Sequence, residues 1–320
     1  MNSFMSWVGG KSLSRPVILP RFPANYERYI EVFGGGGWIL FAKKPEPFEV
    51  YNDVNSNLYN LFGCVRYRPA AFLQQLGVMP CNARKEFDVL IKHINGDDSV
   101  EKYIQEEMGI LADFEYPKID EIINLLYDTE SAAEPFNARR AADFYKVIRY
   151  SYASGCTSYS CQPCDISSYF HQITLANKRL NGNCATYRFN LNKADDTGNG
   201  VIIENKDFES LISQYDRPES FFYCDPPYYE AEGCYAHVFS KEDHYRLKDT
   251  LSGIKGKFLL SYNDCEFIRA LYADYEQESF QRLNSISQRY DAGGTYGELL
   301  VANYNMRERL EKNPCQIALF

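Results

Sequence analysis

The chain has 320 residues, of which 45% are hydrophobic and 24% charged, as in a globular protein with one large or two moderate domains. No window of the sequence approaches the roughly 18 uninterrupted apolar residues of a transmembrane helix, which argues against a membrane protein. The first residues lack the basic and apolar segments of a secretory signal, so we expect a cytoplasmic protein.

The net charge of -9 is unevenly distributed along the chain. Residues 91–135 contain 12 acids and 3 bases, whereas residues 136–193 contain 8 bases and 2 acids. The basic stretch is therefore able to face phosphate groups although the chain as a whole is acidic. A solvated surface is the alternative interpretation of either stretch.

Seven short apolar runs, rich in β-branched and aromatic residues, predict strands. In chain order they are residues 28–33, 48–51, 201–203, 220–224, 257–262, 275–280 and 299–304. Helical patterns lie between them at residues 55–65, 206–215, 241–254 and 264–272. This alternation predicts an α/β fold with a mostly parallel sheet that is covered on both faces.

The alternation stops between about residues 66 and 199, where helical patterns follow one another at residues 83–94, 100–108, 119–127 and 138–152. We interpret this region as a mainly helical insertion that ends in a polar linker at residues 192–200. The predicted domains are therefore an α/β domain of residues 1–66 and 195–320 and an insertion of residues 67–194.

Glycines and acids follow the predicted strands. Four glycines after the first strand let the backbone turn tightly and approach a ligand, without forming a P-loop or a regular GxGxxG fingerprint. Asp53, after the second strand, is placed to accept hydrogen bonds from ribose hydroxyls. Asp207, after the third, could receive the amino group of an adenine ring. The alternative for both acids is a helix N-cap.

The fourth predicted strand ends in Asp225-Pro226-Pro227-Tyr228. The Asp225 carboxylate and the Pro226 carbonyl are two acceptors for the hydrogens of an exocyclic amine of a base, and the Tyr228 ring offers a surface on which that base can stack.

Ten cysteines are scattered along the chain. Cys156, Cys161, Cys164 and Cys184 loosely match the spacing of iron–sulfur or zinc ligands. No second CxxC pair completes such a pattern, so we expect unrelated thiols and no metal.

Eight segments resemble, in the same order, the motifs of the Dam-type, or D12-class, N6-adenine DNA methyltransferases. They are WVGGK at 7–11, FGGGG at 33–37, NDVNSNL at 52–58, NKDF at 205–208, DPPY at 225–228, FSKEDH at 239–244, LSYN at 260–263 and ELLVANY at 298–304. The resemblance implies a Rossmann-like methyltransferase fold with a mostly parallel sheet of about seven strands and an inserted, mainly helical DNA-recognition domain.

The resemblance also implies functional residues. S-adenosylmethionine would be the cofactor, in a pocket formed by Trp7, Lys11, Phe33, Gly35, Gly37, Asp53, Asp207 and Asp225. Asp225, Pro226 and Tyr228 would be catalytic and would hold an adenine that is flipped out of double-stranded DNA. Such an enzyme is encoded by a bacterium or a phage and associates with the nucleoid through DNA.

Target recognition is expected within residues 136–193. The candidate DNA contacts are Arg139, Arg140, Arg149, Lys178 and Arg179. The chain lacks the F-N-x-P-x-G stretch of the family members that methylate GATC, so the resemblance does not imply that target.

Three alternatives stay open. Methylation of adenine in RNA or of glutamine in protein uses a similar loop, more often with Asn in place of the acid, and N4-cytosine methylation more often has Ser there. An oxidoreductase would need a regular dinucleotide fingerprint. A non-catalytic DNA-binding or metal-cluster protein on the same scaffold would need a damaged motif.

Overall fold

A computed structural model describes residues 1–77, 81, 83–95, 136–160, 169–182, 200–229, 239–283 and 295–312. The predicted helices at residues 100–108 and 119–127 lie outside the described residues, as do Cys161, Cys164, Cys184 and most of the acidic stretch.

The described residues form an α/β protein, and every predicted strand is present. The strands are β1 Arg28–Glu31, β2 Phe48–Asn52, β3 Ile202–Glu204, β4 Ser220–Cys224, β5 Lys257–Asn263, β6 Glu276–Leu283 and β7 Thr295–Ala302. The helices are α1 Arg15–Ile18, α2 Trp38–Ala42, α3 Ser56–Tyr67, α4 Pro69–Leu76, α5 Arg84–Ile94, α6 Ala138–Tyr150, α7 Phe170–Asn181, α8 Phe208–Tyr215, α9 Lys241–Ser252, α10 Glu266–Leu271 and α11 Glu308–Lys312. Among the described residues, none of these helices is long and apolar enough to cross a membrane.

The strands form one sheet in the order β3-β2-β1-β4-β5-β7-β6. The first five strands are parallel, and β7 runs antiparallel between β5 and β6. This confirms the predicted mostly parallel, seven-stranded sheet. The chain leaves β1 towards β2 and β3 and later returns to the other side of β1 as β4. A crevice therefore opens at the carboxyl ends of β1 and β4, where ligands bind in open α/β sheets.

Burial explains why the apolar runs form strands. All five residues of β4 are buried, and β5 is buried except at its two ends. Their side chains join those of α8, α9 and α10 in one hydrophobic core. The edge strand β6 is polar and extends to Leu283, beyond the predicted end at residue 280, because pairing with β7 continues past the apolar part of the run.

The chain divides into two compact units, Met1–Tyr59 with Thr174–Phe320, and Asn60–Ile173. The first unit contains all seven strands. The second, in its described residues, consists mainly of α4, α5 and α6. Both changes from one unit to the other fall within helices, α3 and α7. The boundaries lie 7 residues before the one expected at 66 and 21 residues before the one expected at 195.

Candidate active site

A cavity of about 260 Å³ lies at the carboxyl ends of β1, β2 and β4. Segments that are distant in sequence meet in its wall. Of the residues expected to form the cofactor pocket, those that line it are Trp7, Lys11, Phe33, Gly35, Asp53, Asp207 and Asp225. The topology thus brings the N-terminal segment, the glycine turn and the acids that follow three strands to one place.

Hydrogen bonds and close side-chain contacts within the protein hold the glycine turn after β1 in place. Gly35 donates its N–H to Asp53 Oδ2 at 2.8 Å and accepts the Tyr51 hydroxyl at 2.7 Å. A Cβ on Gly34 would lie 2.2 Å from the Tyr51 ring, and one on Gly35 would lie 2.9 Å from Trp7. These aromatic neighbours require the glycines, in addition to any ligand that approaches the backbone.

Gly37, unlike the other residues expected to form the cofactor pocket, lies at the start of α2 and not in the described cavity wall. Its φ of 65° is left-handed, and it is the N-cap of α2. Its N–H donates to Gly34 O at 2.7 Å, which closes the turn. Gly37 is absent from the described lining of the cavity, so the structure supports a role in shaping the loop.

Asp53 holds two backbone segments together. Its Oδ2 accepts the Gly35 N–H, and its Oδ1 accepts the Asn55 N–H at 2.8 Å. The capping side chain at the start of α3 is that of Asn55, which accepts the N–H of Asn57 at 2.9 Å. Each carboxylate oxygen has more than one acceptor site, so Asp53 is able to bind hydroxyl donors in the cavity as well.

Asp207 is the N-cap of α8 and accepts the Glu209 N–H at 3.0 Å. Its carboxylate also receives two hydrogen bonds from Arg246, at 2.9 and 3.0 Å. The Arg246 guanidinium lies 4.2 Å from the centre of the Phe208 ring and bonds Asp243 at 2.9 Å. Arg246 lines the cavity and was not expected from the sequence.

Asp225 directly follows β4 and is paired with Lys11. Lys11 Nζ lies 2.6 Å from Asp225 Oδ1, and the lysine side chain is only 3% exposed. Lys11 also donates to Gly9 O at 3.1 Å and lies 4.8 Å from the centre of the Tyr228 ring. Burial raises the pKa of Asp225 to about 6, although Lys11 acts in the opposite direction. Asp225 is therefore a carboxylate at neutral pH.

Glu31 is a buried acid in the same cavity wall, and it was not predicted from the sequence as a site residue. It accepts the Tyr29 hydroxyl at 2.7 Å, and burial raises its pKa to about 8. The signal available in the sequence is a carboxylate inside an apolar strand, immediately before the glycine turn.

The two tyrosines after Pro227 have different surroundings. Tyr229 stacks on Phe267 with ring centres 4.3 Å apart and meets His244 edge-on at 5.6 Å. It is partly buried and packs against the hydrophobic core. Tyr228 is partly buried beside Lys11, next to Asp225. Of the pair, Tyr228 is the one whose ring lies near the Lys11–Asp225 pair.

Asn263 has a buried polar atom, near the segment of residues 225–229, that is able to bind a ligand. Asn263, at the end of β5, donates to Tyr229 O at 3.1 Å. Its Oδ1 is buried and accepts no hydrogen bond from the part of the chain that the structure describes. A buried acceptor without a partner is costly unless a ligand supplies the donor.

The family model of the D12 class N6 adenine-specific DNA methyltransferases matches residues 7–289. The chain belongs to this family. It is similar to the type II methyltransferase M1.LlaDCHI of Lactococcus lactis subsp. cremoris, with 25% identity over 95% of this chain and 96% of the relative. It is also similar to the type II methyltransferase M.CviBI of Paramecium bursaria Chlorella virus NC1A, with 32% identity over 32% of this chain and 42% of the relative. The protein is thus an adenine-specific DNA methyltransferase.

The expected DNA contacts of this methyltransferase separate into two groups. Arg139 and Lys178 are exposed, and Arg140 is half-buried. Arg149 lies 3.6 Å from the centre of the Tyr169 ring. Arg179 differs, because its guanidinium bonds both oxygens of the buried Glu49, at 2.6 and 2.8 Å, together with Leu40 O. Arg179 is a structural residue of the α/β unit, and we no longer assign it to DNA.

Cysteine ligands are not assembled in the described part of the methyltransferase. Cys156 is a free thiol, and burial raises its pKa to about 12. No group of three or more His, Cys, Asp or Glu side chains there is arranged to hold a metal ion. Cys161, Cys164 and Cys184, which complete the ligand-like spacing, lie outside the described residues.

Proposed function

We propose that this methyltransferase transfers a methyl group from S-adenosylmethionine to N6 of an adenine that is flipped out of a specific double-stranded DNA sequence. The observation that carries the proposal is the position of Asp225. Its carboxylate shares one cavity with the glycine turn and Asp53, although these residues come from three different strands. A site for a nucleoside cofactor and a pair of acceptors for an amine thus adjoin each other.

The groups lining the cavity fit this cofactor. S-adenosylmethionine, when bound, supplies an electrophilic methyl group on a positively charged sulfur. Carboxylates at Asp53, Asp207 and Asp225 suit a ligand with cationic groups, ribose hydroxyls and an adenine amine. We assign the ribose to Asp53. The adenine amine goes to Asp207, whose carboxylate Arg246 holds in place.

Two acceptors would activate the substrate amine. The N6 lone pair of adenine is delocalised into the ring, so N6 is a poor nucleophile. Hydrogen bonds from N6 to the Asp225 carboxylate and the Pro226 carbonyl favour a tetrahedral nitrogen and free that lone pair. Lys11 keeps Asp225 ionised and oriented before the substrate arrives. Such preorganised electrostatic contacts contribute about 3–4 kcal/mol each to the rate of comparable enzymes.

The adenine must leave the helix to reach this site, because N6 is not accessible for in-line transfer within a duplex. Tyr228 is placed to stack on the flipped base, an interaction worth about 1–3 kcal/mol in proteins that bind single strands. Arg139, Arg140, Arg149 and Lys178 are our candidates for contacts to the surrounding DNA. Both relatives are named type II methyltransferases, which favours sequence-specific modification beside a restriction enzyme.

The Asp225→Ala variant tests the assignment of the catalytic carboxylate. We expect the rate of methyl transfer to fall by at least about 10²-fold, because N6 loses a hydrogen-bond acceptor that stabilises its tetrahedral, activated form. Binding of S-adenosylhomocysteine, measured by calorimetry, should persist because Asp53 and the glycine turn are unchanged. Asp249→Ala, at a side chain that is 77% exposed, is the control and should retain full activity.

Transfer by Asp225→Ala at the wild-type rate would contradict the role of Asp225. Assays on duplex DNA, RNA and protein with nucleoside analysis separate the substrate alternatives. N4-methylcytosine or methylated RNA as the main product would contradict the proposed substrate.

A further inference from the structure

We propose that Arg282 and the buried Glu298 form an ion pair that acts as a positioning device for methyl transfer: it holds the Lys11–Asp225 pair in place and balances the charge around it. The proposal rests on the proposed function. It concerns one residue of β6 and one of β7, neither of which lines the cavity.

Glu298 lies at the centre of the pair. It is 0% exposed, on β7, where it is the register partner of Asn263 on β5 and of Phe280 on β6. Its Oε1 lies 2.7 Å from Arg282 Nε on β6, and the Arg282 side chain is 19% exposed. A fully buried carboxylate requires such a partner, because burial of an unpaired charge is very costly.

The second oxygen of Glu298 reaches the segment that carries Lys11. Ser14 Oγ donates to Glu298 Oε2 at 3.3 Å. Ser14 stands three residues after Lys11, and the Arg15 N–H donates to Lys11 O at 3.0 Å. The turn from Lys11 to α1 is therefore hydrogen-bonded within itself and attached to β7. Lys11 in turn contacts Asp225, so a continuous chain of contacts links Glu298 to the catalytic carboxylate.

The pair also acts on Asp225 by its charges. Burial raises the pKa of Asp225 to about 6, and Lys11 lowers it. Glu298 raises that pKa further, whereas Arg282 lowers it. The charged groups that shift the pKa of Asp225 are Lys11, Glu298 and Arg282. The titratable groups that also face Asp225, and whose pKa it raises, are Glu31, Tyr223, Cys224, Tyr228 and Tyr262. Glu298 and Arg282 shift the pKa of Asp225 in opposite directions, so each offsets part of the effect of the other.

A buried ion pair is by itself a weak source of stability, because the loss of hydration offsets the attraction. An apolar pair of similar volume would fill the same space. Removing one member of the ion pair changes the pKa of Asp225, whereas removing one member of an apolar pair does not. That difference can be measured.

The test compares Glu298→Gln, Arg282→Gln and the double variant Arg282→Gln/Glu298→Gln. The measured quantity is the acidic limb of kcat/KM against pH, which reports the ionisation of the free enzyme. We expect the limb to move to lower pH in Glu298→Gln and to higher pH in Arg282→Gln, by about one pH unit each. The double variant should return close to the wild-type position.

Glu278→Gln is the control. Glu278 is on β6, like Arg282, and pairs with Arg21. Its side chain is 19% exposed, as is that of Arg282, and it is not one of the named causes of the pKa shift of Asp225. This variant should leave the limb in place. If a single variant does not fold, the double variant and the remaining single variant still give a signed comparison.

Carbon-13 NMR of the Asp225 carboxyl, assigned with Asp225→Asn, measures the same shifts without turnover. It therefore separates failure of this proposal from failure of the proposed function. Shifts of both single variants in the same direction, or an equal loss of kcat with an unmoved limb and carboxyl titration, would overturn the proposal.

Discussion

At the scale of single residues, the site contains buried ionisable groups held by specific partners. Lys11 is 3% exposed and Glu31 is 2% exposed, and each lines the cavity close to Asp225. Ionising a buried side chain carries a desolvation cost that ionising a surface side chain does not. The site is therefore a place where ionisation and folding stability are coupled.

Glu31 gives a prediction about stability. Because burial raises its pKa from 4.5 to about 8, the unfolded chain loses this proton at lower pH than the folded one. The associated stability is full below pH 4.5 and is lost as the pH rises towards 8. Replacing Glu31 with Gln removes this dependence, which is worth about 3 kcal/mol between pH 5 and pH 8.

Urea unfolding of the ligand-free protein at several pH values measures the effect of Glu31→Gln. The free energy of unfolding of the variant should decline less with pH than that of the wild type. Glu242→Gln, at an exposed position, should retain the wild-type slope and serves as the control. Equal slopes for Glu31→Gln and the wild type would contradict the coupling.

At the scale of elements, the turn between β1 and α2 joins the site to the sheet. Gly34 donates to Asn52 O at 2.7 Å, and Gly35 bonds both Asp53 and Tyr51. The turn is thus attached to the end of β2 by three hydrogen bonds. Its conformation and the position of Asp53 depend on each other.

The Gly34→Ala variant tests this dependence. The added Cβ would meet the Tyr51 ring at 2.2 Å, so the ring or the turn must move. We expect a loss of about 1–3 kcal/mol of stability and weaker binding of S-adenosylhomocysteine, measured by thermal unfolding and calorimetry. Gly253→Ala, whose Cβ would lie 3.7 Å from Thr250 O, should change neither quantity appreciably. Wild-type affinity in Gly34→Ala would contradict the link between turn and site.

At the scale of the whole molecule, the sequence predicts what depends on local pattern. Buried strands are continuous apolar runs, and acids directly after parallel strands meet at one edge of the sheet. The strands and the position of Asp53, Asp207 and Asp225 directly after them could therefore be predicted. The strand order and the pairings between distant segments could not be predicted, because they depend on the tertiary fold. Arg179 stands in a basic stretch typical of a surface, and only the fold shows that it reaches Glu49.

The same limit applies to Lys11, Arg246 and Glu298. Lys11 and Glu298 belong to segments that resemble family motifs, and Arg246 follows such a segment by two residues, yet the partner of each depends on the tertiary fold. Lys11 meets Asp225, Arg246 meets Asp207, and Glu298 meets Arg282. A motif predicts that a residue lies near the site, whereas its role follows from the contacts that it makes there.

The most direct test of the central claim is a map of N6-methyladenine in the DNA of a methylation-free host that expresses this chain. We predict N6-methyladenine at one short recurring sequence with the wild-type protein, and none with Asp225→Ala produced at the same level. N6-methyladenine absent from the DNA of cells with folded wild-type protein, or equally abundant with the variant, would contradict the account.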